Sequence, residues 1–240
     1  MAIEREKILD EAMSLLNEVG LDQFTTRRLA ERLRVQQPAL YWHFKSKSAL
    51  LDALNDLMLD RYHKHRIPVR REPWDVFTIA NARSFRRAMQ AVRNGARLNA
   101  GTRPSTTQFA DAEAQLELYV EAGFTPDQAL NISIGIARYV VGFVLEEQDE
   151  RDRTEDESAW GGGDPMTEIA PFPILSAALK PLIRTGTINT DGIFEGALNY
   201  MVEGIRASLP RHRHRRAMPG RADALRQRAV RTRTAPPRAR

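Results

Sequence analysis

The chain has 240 residues, 42% hydrophobic and 28% charged, which is enough to bury a sizeable core in one or two domains. It has no cysteine, which excludes disulfides and thiolate metal sites and fits a reducing compartment, here expected to be the cytoplasm. The formal charge of +5 is unevenly spread: residues 210–240 hold eleven arginines against Asp223 alone, so the remaining chain is net negative. The high pI therefore describes the tail and does not by itself mark a nucleic-acid binder.

The N-terminal stretch "MAIEREKILDEAM" mixes acids and bases and lacks the apolar segment of a secretory signal. The longest apolar run, "IGIARYVVGFVL", is interrupted by Arg138 and is expected to fall short of a membrane span, so no membrane partner is expected.

Helical periodicity then runs along the whole chain. Ile8, Ala12, Leu15, Leu16 and Val19 recur at three- and four-residue steps over residues 4–19, with Gly20 as the stop. "TTRRLAERL" predicts a second, short helix capped by Thr25 or Thr26, with Leu29, Ala30 and Leu33 facing inward. Pro38 suits the first turn of a third helix over about 37–43, because its missing N–H has no partner there in any case. A long amphipathic helix follows, capped by Ser46 or Ser48. Further helices are predicted at about 74–92, 94–100, 106–122, 127–151, 171–184 and 190–208, with "DESAWGGGDPM" as a loop. No alternating strand pattern of useful length occurs, so the fold class is all-α.

The helices at 127–151 and 190–208 stand apart from the others. Apolar residues fall almost all round the first, which predicts burial on more than one face. Gly135 and Gly142 interrupt it, as Gly192, Gly196 and Gly204 interrupt the second, and each interior glycine costs about 1 kcal/mol relative to alanine. Close approach across a subunit interface would offset that cost; ordinary intramolecular core is the alternative.

The order helix, glycine, short helix, tight turn, short helix is that of a helix-turn-helix, whose second short helix enters a major groove. Residues 23–47 carry Arg27, Arg28, Arg32, Arg34, Lys45 and Lys47 against Glu31 alone, a local charge more telling than that of the whole chain.

"LLNEVGLDQFTTRRLAERLRVQQPALYWHFKSKSALLDAL" resembles the DNA-binding domain of the TetR family of bacterial repressors, and within it the tetracycline repressor class. The likeness continues through "MLDRYHKH", "NARSFRRAM", "GTRP", "AEAQLELY", "EAGFTPDQAL" and "GFVLEEQ". It implies a helix-turn-helix DNA-binding domain at 1–47 and a helical ligand-binding and dimerisation domain at 48–209, joined by the long helix. The arginine-rich tail at 210–240 lies outside the resemblance and has the composition of a disordered segment. A homodimer on a palindromic double-stranded operator, released by a small-molecule effector, is the implied function.

The resemblance implies roles residue by residue. Thr25, Thr26 and Arg27 would contact phosphates and one base edge. Gln37, Pro38, Tyr41, Trp42 and His43 would lie on the recognition helix, and Lys47 would approach the DNA backbone. The chemistry agrees: Gln pairs with adenine, Arg with guanine, and Pro38 or Ala39 can meet a thymine methyl. Core packing is the competing role for Trp42. Arg34 departs from the pattern, since glycine is common at that turn position, and a positive φ would strain it by about 1 kcal/mol.

On the ligand side the matching residues are His63, Asn81, Phe85, Thr102, Arg103, Pro104, Gln115 and Glu146, the last acting from the partner subunit. Asn99 stands where the family has its metal-binding histidine, and a carboxamide is a weak magnesium ligand. Arg138 replaces a second histidine; if buried it needs a partner and would recognise an acidic or oxygen-rich ligand. The effector is therefore expected to be an oxygenated polycycle, with no cofactor and no metal site of the protein's own, magnesium entering only with a tetracycline-type chelate. No phosphate loop, nucleophile motif, HExxH or paired-carboxylate arrangement stands out, so an enzyme is not expected. The alternative reading is a general architectural DNA-binding protein acting through its basic tail.

Overall fold

A computed structural model of the chain describes residues 3–152, 165–185 and 189–209, all within one compact unit, Met1–Leu209. The arginine-rich tail and most of the glycine-rich loop lie outside the described residues. Among those described there are helices and no strands.

The head comprises α1 (Arg5–Gln23), α2 (Thr26–Leu33) and α3 (Gln37–Tyr41). Ile8, Ala12 and Leu16 of α1 are fully buried against Leu29 of α2 and Leu40 of α3, so three short amphipathic faces close one core. Gly20 breaks α1 as the periodicity predicted, with φ of 73°. A side chain there would be strained by that φ, and its Cβ would come within 2.9 Å of the Asn94 carboxamide oxygen, which accepts a hydrogen bond from the backbone N–H of Leu21. Thr25 caps α2, its hydroxyl accepting from the backbone N–H of Arg28 at 3.1 Å. At the other end Arg34 is left-handed, with φ 56° and ψ 40°, so an arginine occupies the backbone conformation that favours glycine.

Ser46, rather than Ser48, caps α4 (Lys47–Tyr62), accepting from the backbone N–H of Ala49 at 3.0 Å. This helix leaves the head and packs on α5 (Trp74–Gln90) and α6 (Gly95–Ala100). Beyond them come α7 (Thr106–Ala122) and α8 (Pro126–Asp152), which packs against α5, α6 and α7 and forms the spine of the body. The Gln148 carboxamide latches this corner. Its oxygen accepts from the N–H of Ala96, and its nitrogen donates to the carbonyls of Met89 and Val92. Gly95 permits the close approach, because a Cβ there would sit 2.2 Å from the Met89 carbonyl oxygen.

The chain continues through α9 (Pro165–Ile169) and α10 (Pro173–Thr185) to α11 (Thr190–Ser208). The short α9 was not anticipated from the sequence. Three charged links fasten α11 to α5 and α8. Arg83 binds Glu195 through both ends of its guanidinium, Arg206 reaches Asp75, and Arg86 bridges Glu147 and Asp191. The Arg86 guanidinium also lies 4.6 Å from the centre of the Phe194 ring, so a cation is buried among aromatic faces as well as carboxylates.

Two expectations for α8 need correction. Within one chain it is buried along one face, Ala129, Ile136, Val140 and Val144, while Leu130 and Ile134 are exposed. The all-round apolar pattern therefore does not correspond to all-round burial in a single chain. Its Pro126–Arg151 span is also long and apolar enough, by length and composition, to cross a membrane, contrary to the expectation that no stretch would be. Here that same apolar face forms core with α5, α6 and α7. The glycines divide as well. A side chain at Gly135, Gly142, Gly196 or Gly204 would meet nothing within 4 Å, whereas one at Gly192 would collide with the capping Asn189 side chain. Gly192 thus serves the helix start and not an interface.

Candidate DNA-reading surface and ligand cavity

The reading surface is assembled where α2 and α3 begin. The Gln37 amide nitrogen donates to the Thr26 hydroxyl at 2.9 Å and lies 3.4 Å from the Tyr41 hydroxyl. Gln37 is thereby held in one orientation, which would lower the ordering cost of the bidentate base contact expected of it. Pro38 is exposed in the first turn of α3. Trp42 is 89% exposed and Tyr41 45%, which rules out core packing for Trp42 and leaves both rings free to meet a DNA backbone. His43 is half-buried beside Phe44, so its ring is less available than theirs.

The cations of this segment do not all face one way. Arg27 is exposed and bound only to Glu31 in an i,i+4 pair, which exchanges readily for a phosphate. Arg32 instead straps α2 to α1 through Glu11, Glu18 and the Ser14 hydroxyl. Its charge belongs to the fold of the head, and counting it toward DNA overstated the positive surface. Lys47 donates from Nζ to the Phe24 carbonyl at 2.8 Å, so the approach to DNA expected of it competes with an internal bond.

Behind the head, α4, α5, α7 and α8 enclose a cavity of about 240 Å³. His63, Asn81, Phe85, Asn99 and Gln115 all line it, five of the residues singled out in the sequence. Residues from four separate stretches of the chain are thus brought together. Thr102, Arg103 and Pro104 do not line it. Thr102 donates to the Asn99 carbonyl, the backbone N–H of Arg103 donates to Asp52, and Pro104 is exposed. Arg138 is a correction: it is exposed and outside the cavity, because α8 turns Ile136, Ala137 and Val140 inward instead. Glu146 is likewise exposed and off the cavity of its own chain; its neighbour Glu147 is the buried carboxylate.

His63 follows the last turn of α4 rather than lying on it, with Nδ1 3.0 Å from the Ser84 hydroxyl and its ring 5.3 Å from Phe85. Burial, with Arg66 adding its charge, pushes its pKa down to about 3, so the imidazole is neutral at physiological pH. His65, also past the helix, pairs with Glu72 at 2.8 Å. Asn81 donates to the His65 carbonyl and Gln115 to the Arg66 carbonyl, so these two carboxamides fix the loop after α4. Burial also pushes the Tyr119 hydroxyl up to about 12, against the hydrogen bond with Thr78.

Sequence reasoning missed Arg66, Gln108, Asp111 and Ser133, all of which line the cavity. A signal existed for part of this set. Residues 108, 111, 112, 115 and 119 fall at three- and four-residue steps, so they share the face of α7 that carries Gln115. Arg66 pairs with Asp60 at 2.5 Å and Asp111 at 3.1 Å, a link that no local pattern announces.

Residues 8–54 match the family described as bacterial regulatory proteins, tetR family, and residues 68–209 the family described as tetracyclin repressor-like, C-terminal domain. The chain is 45% identical over 203 residues to the tetracycline repressor protein class A from transposon 1721 of Escherichia coli, covering 85% of this chain and 90% of that one. A solved class A TetR, in complex with 5a,6-anhydrotetracycline and magnesium, is 38% identical with a TM-score of 0.65 and covers 85% of this chain and 99% of its own. A TetR variant from Acinetobacter baumannii AYE in complex with minocycline, also 38% identical, has a TM-score of 0.69 over 85% of this chain and 97% of its own. The likeness runs through head and body alike, and the chain belongs to the TetR family of bacterial regulatory proteins, in its tetracycline repressor class.

Proposed function

We propose that this ligand-responsive repressor binds a palindromic operator as a homodimer and leaves it when a small oxygenated polycycle fills the cavity between α4, α5, α7 and α8. One observation carries the coupling. The segment from the end of α6 to the first turn of α7 grips α4 at three nearby positions: Asn99 donates to Asn55 at 3.0 Å, Gln108 to Asp56 at 2.6 Å, and the N–H of Arg103 to Asp52 at 3.2 Å. Asn99 and Gln108 also line the cavity, and α4 starts only a few residues after the recognition helix. A ligand that draws Asn99 or Gln108 towards itself therefore pulls on the helix that carries the head. It releases DNA only insofar as it binds the displaced arrangement more tightly than the operator-competent one.

Dimerisation is supported by what one chain leaves open. Leu130 and Ile134 of α8 and Ile193 and Tyr200 of α11 are exposed, and four glycines of these helices face open space. Two heads held about one helical turn apart, on the order of 35 Å, read a two-fold site. The genes under control are those for efflux, resistance or antibiotic biosynthesis, and the protein acts in the cytoplasm with its operator. A purely architectural role through the basic tail is not favoured, because relatives match the head and body and leave the tail aside.

The donor set does not fit a metal of the protein's own. Asn99 offers one neutral carboxamide, Asp111 is engaged by Arg66, and no group of three His, Asp or Glu side chains is close enough to hold an ion among the described residues. The effector is accordingly bound without magnesium unless it brings its own. Operator release is measured by fluorescence anisotropy against tetracycline and a panel of aromatic polyketides, each with magnesium and with a chelator. Release by a polycycle that survives chelation supports the proposal. Release by tetracycline alone, abolished by the chelator, sinks the metal-free part, and sedimentation of a monomer on the operator sinks the dimer.

A further inference from the structure

Ser84, on α5, is fully buried and does not itself line the cavity. Its hydroxyl has two hydrogen-bond partners among the described residues, both just past the end of α4. The backbone N–H of His65 can only donate, so the Ser84 oxygen accepts there at 3.0 Å. The second partner is Nδ1 of His63, also at 3.0 Å. The imidazole is neutral, so one ring nitrogen carries a proton and the other accepts. Were the proton on Nδ1, it would point at Ser84, and the single hydroxyl hydrogen would be buried without an acceptor. With the hydroxyl donating to Nδ1, that hydrogen is satisfied and the ring proton sits on Nε2. Only Asn81 argues the other way, since its amide nitrogen lies 3.4 Å from Nε2 and would donate to a bare nitrogen there. That amide is already oriented by its 2.9 Å bond to the His65 carbonyl. A 3.4 Å N···N contact contributes less than an unpaired buried hydroxyl costs, so the Nε2–H form prevails.

We propose that Ser84 is a positioning residue that fixes His63 as its Nε2–H tautomer, so that this cavity residue offers the effector a donor and no acceptor. Among the described residues no acceptor meets Nε2–H, and both His63 and its neighbour Asn81 line the cavity. The Phe85 ring, 5.3 Å from the imidazole, packs against it and holds the orientation that Ser84 selects. A carbonyl or ionised enol oxygen therefore pairs with His63, whereas an ammonium group there meets another donor. The effect on the effector rests on the cavity being its site; the tautomer does not.

Nitrogen NMR of the full-length, ligand-free protein, labelled at histidine, reads the tautomer directly, with the His63 signals assigned by their loss in His63→Gln. The original protein is expected to show an unprotonated Nδ1 and a protonated Nε2. Ser84→Ala removes the donor to Nδ1 and lets Asn81 donate to Nε2, so the proton is expected to move towards Nδ1. Ser84→Thr, which keeps a hydroxyl, is expected to retain the original pattern. Ser84→Ala also strips the His65 N–H of its acceptor, so the nitrogen signals, and not stability, carry the test. A protonated Nδ1 in the original protein, or the same signals in Ser84→Ala, overturns the proposal. Binding is then measured by ligand fluorescence with 5a,6-anhydrotetracycline and magnesium, a probe rich in acceptor oxygens. Ser84→Ala is expected to weaken it roughly five- to tenfold, the loss of one hydrogen bond, and Ser84→Thr to stay within about twofold. Weaker binding with an unmoved tautomer would make Ser84 merely structural and overturn the proposal. The expected tautomer shift with unchanged affinity, or no binding of the probe to the original protein, would uphold the tautomer and overturn its part in effector choice.

Discussion

In the head, Thr26, Gln37 and Tyr41 are joined to one another and still reach solvent; in the cavity, Asn81, Gln108 and Gln115 have their amides committed to Asp56 and to the loop after α4. The first arrangement holds side chains ready for a surface that arrives from outside. The second uses the same chemistry to hold the protein's own chain, so on the proposed function a ligand entering there would compete with internal bonds. Recognition of DNA needs rigid projection, and release needs bonds that can be exchanged. The charges differ as well: the body buries the Arg86–Glu147 pair, whereas the ion pairs of the head reach solvent.

The largest effect that can sharpen this contrast lies at Arg86. Its side chain and that of Glu147 are 11% and 9% exposed, so removing the cation leaves a carboxylate buried without its partner. Arg86→Ala is expected to lower the unfolding free energy by about 3–5 kcal/mol in urea titrations. A loss below about 1 kcal/mol would show that water reaches Glu147 and that buried charge does not secure the body.

A second contrast is pH. His63 titrates near 6.5 in the unfolded chain and at about 3 in the fold. Between those values the unfolded state binds the extra proton, so stability is lost progressively as pH falls from about 6.5 towards 3 and is untouched above that window. At pH 5 the loss is about 2 kcal/mol. His63→Gln should flatten that limb of the urea stability profile. Parallel profiles for the two proteins would mean that His63 is not held neutral.

The head is probed through the Thr26–Gln37 bond. Gln37→Ala is expected to cost about 1–3 kcal/mol at particular base positions. Thr26→Val, which frees the glutamine, should cost about 1 kcal/mol at those same positions. If the bond works by orienting Gln37, the double variant is no worse than Gln37→Ala alone. Equal losses across a panel of substituted operators would instead assign Gln37 to the DNA backbone.

These two regions also differed in how far the sequence disclosed them. The head is local: its contacts join residues close in the chain, so caps, the Gly20 break and the Pro38 start were readable as a helix-turn-helix, and Trp42 proved exposed. The cavity depends on which way each helix turns, and that is fixed by packing between distant segments. His63, Asn81, Phe85, Asn99 and Gln115 came through the resemblance, whereas Arg138 was misplaced because α8 is exposed, in one chain, on the face that carries it. Arg66 and Asp111 are paired across forty-five positions of sequence and leave no local trace. Charge counting failed for a related reason: Arg32 looks like a DNA contact until Glu11 and Glu18 are seen to receive it.

The smallest expected effect tests whether the head's turn is itself under strain. Arg34 has φ 56° and ψ 40°, where an L-residue with a Cβ is disfavoured by roughly 1–2 kcal/mol. Arg34→Gly removes that strain but also frees the unfolded chain, which costs about 0.4–1 kcal/mol in return. The net expectation is a gain of about 0.5–1 kcal/mol in urea unfolding, with Arg34→Asn, which tolerates the left-handed region better than arginine, falling between. Arg34 is exposed in the turn between α2 and α3, so the substitution also removes one surface cation from the helix-turn-helix. If that cation meets a phosphate, affinity falls alike for every operator variant and the salt dependence of binding loses about one unit of slope. A head made more stable yet bound less tightly would show that the turn keeps an arginine for DNA at the expense of its own backbone. A Gly variant that is less stable than the original would show instead that the side chain makes a compensating contact in the fold, and the strain argument for this turn would fail.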